Sequence, residues 1–439
     1  MAANKQKQGL KRLHILHDIR VKALQQAEGI PVKEVQLELP LLRASLKDNE
    51  RFIQCVEEGL PFIISCWANA PEIYAAMDIY YAPLSMSYVG IDYDTHLKDL
   101  ARADQLPLPA DLCTVHRLVI RSIEDGDVPI PTAVVGIMEP CDGITLCQNA
   151  VMLHKDWINV PFFAPDPPYV ETDPRSIPYF GREMRRMVAF LEKHLGKRLD
   201  MNRLREVIAE SNKQVHMFME YNELKRAVPC PVPSFSGAAI VSAIMGTSTT
   251  VGRPEATDYI RAKLAHTEEL VKAKKGAIPN EKIRAYWFDL PPGYYQGGLG
   301  ALAAWMAQEW GVNVVQDFIS DCPFTPIDTS TDDNIFEGLA KRSLLDTHMI
   351  RQSRGRANIM LNDLVRVVKD YKIDCVIHAI HMGHKDQSAN IGLVRDACRE
   401  LGVPVLQFTL DILDPRYTPL EEVKEKLSRF FMAMGLGQK

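Results

Sequence analysis

Thr132-Ala-Val-Val-Gly-Ile-Met-Glu-Pro-Cys-Asp-Gly-Ile-Thr-Leu-Cys147 is the stretch around which the chain is organised. Ala133 to Met138 is an unbroken apolar run of strand length, the pattern of a strand covered on both faces, and Glu139-Pro-Cys-Asp-Gly143 interrupts it. Cys141 is therefore expected just past a strand's carboxyl end, the edge where open α/β sheets bind ligands. A second run, Asp374-Cys-Val-Ile-His-Ala-Ile380, closes in the same way on His381-Met-Gly-His384. Soft and imidazole donors arriving from two strand ends point to a metal centre.

Outward from these runs the chain alternates strand and helix. Pro61 to Ser65 reads as a buried strand and Ala70 to Met77 as the helix after it, with proline in its first turn. A proline-punctuated loop, Leu106 to Thr114, leads into a helix from Val115 to Glu124, so Cys113 falls at a helix N-terminus, where amide dipoles favour a thiolate. The four prolines between Phe163 and Pro174 mark a domain boundary. Residues 181 to 225 read as helical, with Met201, Leu204, Ile208, Val215, Phe218, Met219 and Leu224 on one stripe, and a further helix runs from about Pro254 to Lys275. Strands follow at Arg284 to Asp289, Val312 to Val315, 374 to 380 and Val403 to Phe408, with helices at Ala301 to Trp310, Asn358 to Asp370 and Asn390 to Leu401 between them. Thr418-Pro-Leu-Glu421 has the form of a capping box opening the last helix. The expected fold is α/β: two parallel-sheet, Rossmann-like domains joined by a helical segment. Residues 1–165 hold N-terminal helices and the first α/β domain, 175–278 the connecting helices, and 279–439 the second α/β domain.

Composition excludes several classes of function. A chain of 439 residues with a net charge of -5 and no run of lysine or arginine has no nucleic-acid footprint. The opening MAANKQKQGLKRLHILHDIR lacks the apolar core of a secretory signal, and no stretch reaches the roughly 18 apolar residues of a membrane span, so a cytoplasmic protein is expected. Nine cysteines, thinly spread and without a CxxC, argue against a disulfide framework, a zinc ribbon or a ferredoxin-type run. Any cluster must gather its ligands from distant segments.

Each chemical candidate has a plainer alternative beside it. Cys113 and Cys141 stand out by position, whereas Cys147, Cys375 and Cys398 read as core thiols. His378, His381 and His384 near a glycine favour a functional role over three separate structural histidines. The glycine-rich turn Gly293 to Gly300 follows a strand like a phosphate cradle but matches neither the P-loop nor GxGxxG, and a turn needing positive φ explains it as well. Glu72 is a candidate acid/base group or a carboxylate complementing a helix N-terminus. Arg351, Arg354 and Arg356 in RQSRGR form a short basic run whose plain reading is a solvated loop.

From about residue 60 onward the chain resembles the 2-hydroxyacyl-CoA dehydratase D-component family, which also includes subunits of ATP-dependent benzoyl-CoA reductase. The resemblance rests on an ordered set: FIISCWANAPEIYAAMDI, DLCTVHRLV, GIMEPCDGI, FLEKHLGKRLDMNRLREVIAESNKQ and CVIHAIHMGHKDQSANIGLVRDACRELGVPVLQFTLDILDPR. It implies a heterodimer of related subunits, each holding a [4Fe-4S] cluster by three cysteines, and a separate ATP-hydrolysing iron-sulfur activator that injects one electron. In the dehydratases a CoA thioester then loses water through a ketyl radical; in the reductases electrons enter an aromatic ring. With a CoA substrate so implied, Arg351, Arg354 and Arg356 become candidates for its phosphates, beside their reading as a solvated basic loop. By motif, Cys113 and Cys141 correspond to the first two ligands, and His384 stands where the family has its third cysteine. Three outcomes follow from that departure: His384 ligates iron, another thiol such as Cys322 or Cys375 reaches the site, or the subunit has a modified or absent cluster. The leading expectation is an iron-sulfur subunit of a 2-hydroxyacyl-CoA dehydratase. The alternatives are an aromatic acyl-CoA reductase subunit and a non-catalytic partner or cluster-assembly protein.

Overall fold

The computed structural model describes residues 2–65, 69–83, 93–138, 141–168, 173–245, 249–293, 298–354 and 357–437. It contains two four-stranded, all-parallel sheets. The first is built from β1 (Phe62–Ser65), β2 (Tyr80–Pro83), β3 (Ala133–Val135) and β4 (Phe162–Phe163) in the order β2-β1-β3-β4. The second takes β5 (Ile283–Phe288), β6 (Val312–Asp317), β7 (Cys375–His381) and β8 (Val405–Leu410) in the order β6-β5-β7-β8. Both sheets therefore wind the same way, and strand order reverses between β1 and β3 in one and between β5 and β7 in the other. These reversals open a crevice at the carboxyl edge.

β1, β3, β5, β6 and β7 are buried almost without interruption because each sheet is covered on both faces. One core joins Ile63 and Val135 to Phe180, Leu191 and Phe218 of the connecting helices and continues to Tyr286, Val315 and Val376 of the second sheet. The opposite faces pack separately. Ile64 and Val134 meet Leu13, Leu16 and Phe52 of the N-terminal helices, and Trp287 and Ile377 meet Trp310, Leu427 and Phe431.

Several elements differ in extent from the sequence expectation, each for a local reason. β3 stops at Val135 rather than Met138, because Asn69 and Gln148 side chains donate to the carbonyls of Gly136 and Ile137. β2 and β4 were not foreseen: the first ends in proline at the sheet's edge, where a missing N–H is tolerated, and the second is two residues long. The run over 181–225 is two helices, Ser176–Leu195 and Met201–Leu224. Gly196, with φ of 67°, ends the first, and the Asp200 carboxylate caps the second by accepting from Asn202 N at 2.8 Å. The last helix, Leu420–Ala433, has Pro419 rather than Thr418 as its N-cap, and the Thr418 hydroxyl donates to Thr409 O at 3.1 Å.

The turn after β8 lays the second sheet's carboxyl edge on the first half of the chain. His96 Nε2 lies 2.6 Å from Leu413 O, and Arg416 reaches Asp104 at 2.9 Å. β7 also outruns its neighbour, since the last paired residue of β5, Phe288, is level with His378. Its final turn of sequence therefore overhangs the end of β5.

Candidate functional site

Two helix starts and three strand ends form the site. Cys113 is the N-cap of the helix Thr114–Asp125, and Cys141 is the N-cap of Asp142–Leu153. From the second sheet, β5 delivers Asp289, β7 delivers His381 and, after Met382-Gly383, His384, and β8 delivers Asp411. Cys113 Sγ lies 3.1 Å from His381 Nε2, and Cys141 Sγ 3.7 Å from His116 Nε2. His384 Nδ1 is 2.7 Å from Asp289 Oδ1, while Asp289 Oδ2 accepts from His381 N at 2.7 Å. The Thr114 hydroxyl donates to Asp411 Oδ2, which seats the Cys113 helix on the end of β8.

Burial dominates the electrostatics. It pushes Cys113 well above an ordinary thiol, with the Asp411 charge adding to it, and it pushes Cys141 up to about 11. Amides at the two helix starts act in the opposite direction and lose. The thiolate expected at Cys113 from its helix position is thus a neutral thiol at pH 7 in the metal-free chain, because desolvation exceeds the dipole effect. A bound cation reverses the balance by pairing with the thiolates. Burial, reinforced by the charges of His381 and His384, holds His116 down to about 4, and burial also lowers His381, so both imidazoles are neutral. His384 is the exception: burial opposes its charging, but the charge and hydrogen bond of Asp289 outweigh that and raise it.

The donor types, two thiols at helix starts and imidazoles at and beyond a strand end, are those a polynuclear iron-sulfur group takes. Among the described residues no three of His, Cys, Asp and Glu form a group able to hold one metal ion. A cubane does not require such convergence, since each ligand sits on its own iron. Gly383 provides clearance for the Cys113 side chain: a Cβ there would lie 2.6 Å from Cys113 Cβ and 2.7 Å from His381 Nε2. The hydrogen bond of His384 Nδ1 to a carboxylate leaves Nε2 as the free donor, the arrangement usual for metal-binding imidazole.

The other sequence candidates are placed elsewhere. Glu72 is buried and accepts from Arg342 Nη1 at 2.6 Å and Ser211 Oγ at 2.9 Å, an ion pair that joins the two halves of the chain. Arg351 is held by both carboxylate oxygens of Asp363, at 3.1 and 2.6 Å. The Arg354 side chain, Arg356, residues 294–297 of the glycine-rich turn and Cys66 lie outside the described residues. His378 turns away to Gln407 and the Phe288 ring. Cys375 opens β7, six residues before His381 and so roughly 20 Å from it at strand rise. Cys322 pairs with His348 Nδ1 at 3.2 Å.

Sequence reasoning missed His116, Asp289 and Asp411. Each left a signal: His116 follows Cys113 by three positions, one helical turn, and the two aspartates stand immediately after strands.

Residues 66–433 match a family described as 2-hydroxyglutaryl-CoA dehydratase, D-component. The chain belongs to this family. It is accordingly a subunit of a 2-hydroxyacyl-CoA dehydratase-like enzyme, of a family linked to CoA thioester substrates, and the D-component designation implies a partner component. A search of curated proteins finds no match. Among the described residues, no helix is long and apolar enough to cross a membrane.

Proposed function

We propose that this chain is the iron-sulfur subunit of an ATP-activated radical enzyme that dehydrates a 2-hydroxyacyl-CoA, with Cys113, Cys141 and His384 as ligands of a [4Fe-4S] cluster. The reading is supported by membership of this family and by the contact that carries it, Cys113 Sγ 3.1 Å from His381 Nε2, which brings a helix-start thiol of the first half of the chain to the strand end that leads to His384. Held by Cys113, Cys141 and His384, such a group would supply the single low-potential electron that elimination of water from a 2-hydroxyacyl thioester requires.

The chain's own residues prepare the site for that group. Cys113 and Cys141 release their protons only when positive charge arrives, so both stay neutral thiols in the metal-free chain. Asp289 fixes the His384 ring with its proton on Nδ1 and its lone pair on Nε2. Burial of Cys113, His381, His384 and Asp289 keeps water from the reduced centre. A homologous second subunit and a separate ATP-hydrolysing iron-sulfur activator complete the enzyme, in keeping with the partner that a D-component implies.

Anaerobic purification with iron and acid-labile sulfide analysis tests the reading. Iron and sulfide in equal amounts are expected, with both reduced in Cys113→Ser and Cys141→Ser. A wild-type chain that assembles neither removes it. Turnover of 2-hydroxyacyl-CoA, set beside that of an aromatic acyl-CoA with partner and activator present, decides between dehydration and ring reduction.

A further inference from the structure

We propose that His381 is a positioning residue that donates an N–H···S hydrogen bond from Nε2 to the sulfur of Cys113 and thereby raises the reduction potential of the centre. The inference rests on the cluster reading above and concerns a residue that is not itself one of the proposed ligands.

The proton's location follows from the neighbours of the other ring nitrogen. His381 Nδ1 faces Ile412 N at 3.4 Å, and a backbone N–H only donates, so Nδ1 is the acceptor. Of the competing acceptors, Asp411 Oδ2 lies 3.9 Å from Nδ1, beyond hydrogen-bond reach, and the Leu410 carbonyl is the weakest of the influences on the ring. That carboxylate is already occupied: Oδ2 accepts from the Thr114 hydroxyl, and Oδ1 accepts from Leu413 N and Asp414 N, each at 2.8 Å. The single proton of the neutral ring is left on Nε2, 3.1 Å from Cys113 Sγ.

The ring cannot turn away. His381 is fully buried, its backbone N–H is held by Asp289 at 2.7 Å, and the backbone of Gly383 closes the side next to Nε2. A fixed donor on a ligand sulfur draws off part of its negative charge. Reduction adds negative charge, so the reduced form gains more and the potential rises. Cys141 provides an internal comparison, because its imidazole, His116, stands at the longer distance of 3.7 Å and contributes less.

The test uses the full chain reconstituted anaerobically with ferrous iron and sulfide, as wild type, His381→Leu, His381→Gln and His116→Leu. Iron content, midpoint potential by EPR-monitored titration and Fe–S stretching frequencies by resonance Raman are read for each. Expected is a retained cluster with a more negative midpoint in His381→Leu, recovery toward wild type in His381→Gln, which restores an N–H donor, and a smaller shift in His116→Leu. A His381→Leu midpoint and Raman spectrum equal to wild type overturn the inference. So does loss of iron in both His381 variants, which would make the residue a ligand or a packing group. Loss in the leucine variant with retention in the glutamine variant supports it. Nitrogen-15 NMR of the metal-free chain gives a reading independent of any cluster: a proton on Nε2 of His381 is expected, and one on Nδ1 overturns the proposal. A wild-type chain that never assembles iron overturns the cluster reading instead, and the tautomer still decides whether the His381 donor exists.

Discussion

Asp289 holds a backbone φ of 103°, a conformation that costs a non-glycine residue on the order of 1–3 kcal/mol. Its carboxylate offsets that strain by accepting from Leu290 N at 2.6 Å, His381 N at 2.7 Å and His384 Nδ1 at 2.7 Å, so one strained residue fixes both histidines of the site. Glu72 shows the opposite case, a buried charge used for assembly. Glu72→Gln leaves the Arg342 guanidinium buried without its counter-charge and is expected to destabilise the chain by roughly 3 kcal/mol, measured as a shift in denaturant midpoint. A variant of wild-type stability that has lost turnover would instead make Glu72 the acid/base group. Its place after the first strand was readable; its partner, 270 positions away, was not.

At the scale of elements, the site depends on the turn His381-Met-Gly-His384 lying against the start of the Cys113 helix. Gly383→Ala puts a methyl group 2.6 Å from Cys113 Cβ and 2.8 Å from Cys113 Cα. The second contact is with backbone, so the turn or the helix start must move. Overpacking of this kind costs about 1–3 kcal/mol. A lower thermal midpoint and reduced iron uptake on reconstitution are the expected results, read by calorimetry and iron analysis. Normal iron uptake would show that the turn does not set the ligand geometry. Cys113 was expected at a helix N-terminus and Cys141 beyond a strand's carboxyl end, and the structure has them there, because proline loops and apolar runs write those boundaries locally. β2 and β4 lie in the short, proline-bearing apolar runs Ile79 to Leu84 and Val160 to Ala164, too brief to read as strands from the sequence.

Across the whole molecule, buried imidazoles set an acid limit on stability. Burial lowers His116 to about 4, His348 to about 3 and His378 to about 4. A folded value below the unfolded value of about 6.5 means that the unfolded chain binds protons the folded chain refuses. Stability from these groups is therefore complete above about pH 6.5 and falls as the pH drops toward 4, by about 3 kcal/mol for each such imidazole. His384 runs the other way. Its raised value gives a contribution that is full below about pH 6.5 and is lost as the pH rises through the raised value. Denaturant midpoints of the metal-free chain between pH 8 and pH 4 check this, with a fall on the acid side expected. A flat profile would mean that these rings are hydrated and free to charge.

The sequence by itself determined the two parallel sheets, the strand-end and helix-start positions of the candidate ligands, and the family likeness. These are local properties, set by apolar runs of strand length, helical stripes, and prolines and glycines between them. Only the tertiary structure decided which side chains meet. Cys113 and His381 are 268 positions apart, and no pattern within either segment specifies the 3.1 Å between them. That distance is fixed by one core running through both sheets and by the docking of the turn after β8. Burial then overturned a local expectation, since the helix start that favours a thiolate at Cys113 is outweighed by the desolvation of folding around it.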